Sequence, residues 1–140
     1  MVRRNEASRV RPETPYDLIA IVASTGGVKA LEEILAWLPA DFPVPIAVVQ
    51  HRSTHDPNLL AKVLSRHTEL VVKLAKDGEV LLPGTVYLAQ PDLHLVVNDN
   101  RTLGLRNGHR IRHVLSSGNP LFESAAHTLG ERAIAHRAQR

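Results

Sequence analysis

YDLIAIVASTGG, residues 16–27, changes character within a single short stretch. Tyr16 to Ala23 is a run of mostly branched apolar residues, with the length and continuity of a strand buried on both faces, as in a parallel sheet. Ser24-Thr25-Gly26-Gly27 breaks that run at once. From Val28 the period becomes helical: Val28, Leu31, Ile34, Leu35 and Leu38 recur on one side, Glu32 and Glu33 lie on the other, and Pro39 and Pro43 stop the pattern. The reading is strand, tight turn, helix.

The same sequence of elements follows downstream. Pro45 to Gln50 (PIAVVQ) is a second apolar strand, ending at His51 and a polar loop, and a second helix fits Asn58 to His67. Strand, helix, strand, helix predicts βαβ units and a parallel sheet. Leu70–Leu74, Val80–Leu82, Thr85–Ala89 and His94–Val97 are short β-rich runs, separated by the turn pairs Asp77-Gly78, Pro83-Gly84 and Pro91-Asp92. A hairpin is expected from about Leu93 to Leu105. Phe122 to Ala135 has helical spacing. The fold class expected is α/β: a doubly wound, mostly parallel sheet with a β-hairpin excursion, missing its last strands.

Composition narrows the chemistry. The 140 residues contain no cysteine, which removes thiol nucleophiles, disulfides and thiolate metal sites and leaves Ser, His and carboxylates. No apolar run approaches the roughly 20 residues that span a bilayer, and the first fifteen are polar and basic, so neither signal peptide nor membrane insertion is expected and the expected location is the cytoplasm. Residues 1–15 read as a flexible basic arm, with residues 16–140 as the domain. A net charge of +3 is small, and the cations gather at the two ends, where Arg132, Arg137 and Arg140 read as a solvated tail. With no aromatic residue interleaved in a basic stripe, nucleic-acid binding is not expected.

Reactive crevices of open parallel sheets lie beyond the carboxyl ends of the strands. There the first strand delivers Ser24 and the second His51, and neighbouring strands run about 5 Å apart. A serine needs a base to take its proton, and the oxyanion that follows needs fixed N–H donors. Gly26, Gly27 and the start of the next helix offer such donors. The alternative is plain helix capping by Ser24. The turn is neither the G-x-S-x-G elbow, since Val22 stands at the first glycine, nor a P-loop, since no Gly-Lys-Ser/Thr follows. His51 and His55 have an i, i+4 spacing, but Pro57 and the polar loop speak against a helical metal pair, so no metal is expected.

A series of segments then carries a family resemblance: Ile21–Gly27, Leu38–Pro43, Val49-Gln50-His51, Asp77-Gly78-Glu79, Pro83–Ala89, Pro91–His94 and Pro120–Ala126 follow one another as in the catalytic domain of CheB, the chemotaxis protein-glutamate methylesterase. The resemblance runs from about Tyr16 to Ile134. It implies hydrolysis of γ-glutamyl methyl esters on the cytoplasmic helices of chemoreceptors, with Ser24 as nucleophile, His51 as general base, Thr25 and Gly26 in the oxyanion and positioning turn, and no cofactor.

Three departures from that pattern stand out. The family's triad aspartate follows the strand expected after Ile134, where this chain has only Ala135-His136-Arg137-Ala138-Gln139-Arg140, read as a polar scar left by a premature stop or frameshift. Asp56 and Asp92 are the acids on plausible loops. Leu115-Ser116 and Asn119 stand where relatives commonly have an Arg-Pro pair and an Asp, and a short arm stands before Tyr16 where the usual enzyme has a receiver domain, so phosphorylation control within this chain is not expected. Two functions follow: an esterase, or a catalytically dead receptor-binding module. Exposed sheet edges also make self-association an expectation.

Overall fold

A computed structural model describes residues 15–50, 56–107 and 119–139. The arm expected over residues 1–15 lies outside these, Pro15 apart. Strands β1 (Leu18–Ala23), β2 (Ile46–Gln50), β3 (Val71–Leu74), β4 (Thr85–Leu88) and β7 (Ala133–Ala138) form one parallel sheet in the order β3-β4-β2-β1-β7. Strands β5 (Leu93–Val97) and β6 (Leu103–Asn107) form a separate antiparallel hairpin, as the turn chemistry predicts. Helices α1 (Val28–Ala36), α2 (Pro57–Ser65) and α3 (Asn119–Leu129) complete the fold.

Alternation along the strands explains the two layers. Leu18, Ala20 and Val22 of β1, Ala47 and Val49 of β2 and Tyr87 of β4 bury one face of the sheet against Leu121, Ala125 and Leu129 of α3 and Leu95, Val97 and Leu103 of the hairpin. Ile21, Ala23, Ile46, Val48, Val86 and Leu88 point the other way and meet Leu31 and Leu35 of α1 and Leu64 of α2. Both faces are covered, which is why the strands read as unbroken apolar runs. The fold is thus α/β and doubly wound, with helices on each side.

Three expectations change. Val80–Leu82 does not form a strand; it makes one isolated bridge, Val80 to Thr102, and Leu82 stays exposed. The Tyr87 hydroxyl accepts from Leu82 N–H and donates to Val80 O, both at 2.9 Å, so this segment is satisfied by a side chain instead of a ladder. Nor does the last helix run to Ala135. It ends at Leu129, a 3-10 turn covers Gly130–Arg132, and Ala133–Ala138 is a strand paired residue for residue with Leu18–Ala23. Alanine spacing suits a helix locally, but β1 has a second edge to satisfy, and tertiary pairing overrides propensity.

The basic tail is the third correction. The Arg132 guanidinium bonds both oxygens of Asp17, at 2.7 and 2.9 Å, and Arg101 from the hairpin turn reaches the same carboxylate at 3.2 Å. That hydrogen bonding raises the Arg132 pKa above its ordinary value. Arg137 lies over the Phe122 ring of α3, 5.3 Å from its centroid. Both cations are therefore tied into the fold. The polar residues of the final segment sit on the exposed middle of β7, while Ala138 at its end is buried.

One turn gives a direct stability test. Gly84 has φ +73, and a Cβ there would lie 2.8 Å from the Ala40 carbonyl oxygen. Gly84→Ala is expected to cost about 1–2 kcal/mol from the left-handed backbone alone, with the contact adding to it. Urea unfolding measures this; an unchanged midpoint would contradict it.

Candidate active site

Ser24 follows β1 directly, with extended backbone (φ −77°, ψ 171°), and the 3-10 turn Thr25–Gly27 leads straight into α1. The turn closes through a 2.8 Å bond from Gly27 N–H to Ser24 O. Ser24 occupies the capping position, yet its hydroxyl makes no capping hydrogen bond. The half-buried side chain is thereby not committed to holding the helix, which removes the plain capping alternative. Thr25 and Gly26 are the first residues of the turn, ahead of α1.

The turn sits at the switch point of the sheet. From β1 the chain moves to β2 on one side under α1, and it returns to β7 on the other side after α3. Ligands bind such points in open α/β sheets. Ser24 N–H donates to the Ala138 carbonyl of β7 at 3.2 Å, extending the β1–β7 ladder by one bond. Gly27 is buried beside it, and a Cβ on Gly27 would fall 1.9 Å from that same oxygen and 3.2 Å from Ser24 Oγ.

On the other side, Ala23 is registered with Gln50. The next residue is His51, which with His55 lies outside the described residues, as do Leu115 and Ser116. Gln50 is half-buried, and its Oε1 has no hydrogen-bond partner among the described residues. The two candidate acids are placed differently. Asp56 caps α2, accepting from Asn58 N–H at 2.9 Å, with Pro57 at the first helical position. Asp92 is exposed, in the left-handed region at φ 62°, in the turn from β4 to β5. Among the described residues, no group of three metal-ligating side chains converges.

The Ala138 carbonyl is the element that sequence reasoning missed. Its only signal was Gly27 itself, a second glycine where one would serve a turn.

Comparison with known proteins agrees with this architecture. Residues 19–136 match the family model for CheB methylesterase. The protein-glutamate methylesterase FrzG of Myxococcus xanthus is 40% identical over 128 residues, which is 91% of this chain and 38% of that protein. The protein-glutamate methylesterase/protein-glutamine glutaminase of the group 3 operon of Rhizobium meliloti (strain 1021) is 37% identical over 137 residues, 96% of this chain and 39% of that protein. The chain thus spans about two-fifths of the length of these relatives. The crystal structure of the Thermotoga maritima CheB methylesterase catalytic domain matches with a TM-score of 0.79 at 35% identity, over 87% of this chain and 66% of that one. With a family model matched over residues 19–136 and the fold shared with a solved catalytic domain at 35% identity, the protein belongs to the CheB methylesterase family.

Proposed function

We propose that this chain carries the nucleophile-bearing part of a protein-glutamate methylesterase. Ser24 Oγ attacks the carbonyl carbon of a γ-glutamyl methyl ester while His51 takes its proton. The tetrahedral oxyanion is met by the N–H groups of Thr25 and Gly26. Collapse expels methanol, protonated by His51, and leaves an acyl-enzyme. Water then attacks the acyl carbon, His51 again accepting and returning the proton, and the carboxylate and Ser24 are restored.

The observation that carries this reading is the uncapped Ser24 hydroxyl on a turn into a helix N-terminus at the switch point. The substrate proposed is the methylated cytoplasmic helix of a chemoreceptor, met in the cytoplasm. No helix among the described residues is long and apolar enough to cross a membrane.

A second reading, a receptor-binding module without turnover, is favoured by one observation: Asp56 is engaged as a helix cap and Asp92 is exposed in a turn, so neither has an evident role in orienting His51. Methanol release from methylated receptor separates the two. Turnover by the purified chain that disappears in both Ser24→Ala and His51→Ala supports the esterase. A folded chain that binds receptor and releases no methanol above those variants selects the binding module.

A further inference from the structure

We propose that β7 is part of the catalytic scaffold: the Ala138 carbonyl fixes the backbone of Ser24, and Gly27 is the positioning residue whose missing side chain admits that carbonyl. This rests on the reading of Ser24 as nucleophile.

The argument is geometric. A nucleophile's hydroxyl is aimed by its own backbone, and among the described residues Ser24 is tied by its N–H to Ala138 O at 3.2 Å and by its C=O, which accepts from Gly27 N–H at 2.8 Å. Both involve the same small space. A methyl group on Gly27 would overlap the Ala138 oxygen at 1.9 Å and its carbon at 2.6 Å, both backbone atoms that cannot rotate away. Either the turn or the end of β7 would have to retreat by about an ångström, and misplacement on that scale costs on the order of 100-fold in rate.

Gly27 does not need to be glycine for its own dihedrals, since its φ of −84° is open to any residue. The requirement comes from β7. That strand's end is secured independently of the turn: the Ala138 side chain is buried with Ala23, Leu31 and Leu35, and the Arg137 guanidinium lies on Phe122 of α3. Arg137 thus stands two steps from the serine, through the strand end it anchors.

The test uses the full chain and two readouts. One is the rate at which a fluorophosphonate labels Ser24, separated into its saturating rate and its half-saturation concentration; the other is hydrogen exchange of the Ser24 amide by NMR. Gly27→Ala should lower the saturating labelling rate about 100-fold with the half-saturation concentration little changed, and should unprotect the Ser24 amide. Arg137→Ala, a surface change that leaves the turn's own sequence intact, should speed Ser24 amide exchange about two- to fivefold, and Arg137→Lys should restore part of the protection.

If Gly27→Ala does not fold, the Arg137 pair still decides. Unchanged Ser24 exchange in Arg137→Ala, or in a folded Gly27→Ala, would overturn the proposal. Absence of labelling in the wild-type chain would instead sink the reading of Ser24 as nucleophile, and the exchange measurements would still judge the role of β7.

Discussion

Ser24→Ala is expected to lower methanol release about 100-fold relative to the unsubstituted chain, without moving its unfolding midpoint. The size follows from how triad members act as a unit. In serine proteases, loss of the nucleophile costs about 10⁶ in kcat, and neutralising the acid that orients the histidine costs about 10⁴. Such losses do not add, because each removes the same concerted proton transfer. On the proposed reading that neither Asp56, a helix cap, nor Asp92, exposed in a turn, orients His51, turnover starts from the lower level, and roughly 10² remains for the serine to lose. A loss near 10⁶ would reveal that an acid does orient His51. Stability should stay put because the hydroxyl caps nothing.

Tyr87→Ala is expected to be the most destabilising of the substitutions considered. Tyr87 is 1% exposed on β4, an interior strand of the parallel sheet, and packs in the layer shared by α3 and the hairpin. Removing a buried aromatic ring costs about 3–5 kcal/mol through lost transfer energy and the cavity left behind, against a total stability of about 5–15 kcal/mol for a domain. The ring also carries the hydroxyl that bridges Val80 O and Leu82 N–H. Tyr87→Phe separates the two contributions. Val80 and Leu82 are themselves exposed, so water can replace the lost partner and the cost should stay near 1 kcal/mol. Urea denaturation of both variants reads this out. Equal losses would mean that the bridge, and not the packing, dominates.

Much of the fold was legible because local chemistry and tertiary placement agree. Strands buried on both faces must be continuously apolar, so Leu18–Ala23 and Ile46–Gln50 announce a covered parallel sheet. Turn residues with restricted dihedrals then mark the hairpin and the entry to β4. Ser24 is different: its turn reads equally as a plain helix cap, and only the resemblance of the surrounding segments to a known family singles it out as a candidate nucleophile.

The last segment was not legible. Ala133-Ile134-Ala135-His136-Arg137-Ala138 has neither β-branched density nor clean alternation, and its cations invite reading as a tail. Its strand conformation comes from a partner more than a hundred residues earlier in the chain, the open edge of β1. Arg132 and Arg137 likewise find Asp17 and Phe122 only once that strand is in place.

From the sequence alone, then, come the first strands and helices, the hairpin and the two-faced burial of the sheet, because these depend on period, turn chemistry and side-chain type. Which strand lies beside the serine, why Gly27 must lack a side chain and which acids are already engaged elsewhere were decided only by the tertiary structure. Each is a contact between distant segments, and such contacts leave no periodicity in the chain that makes them.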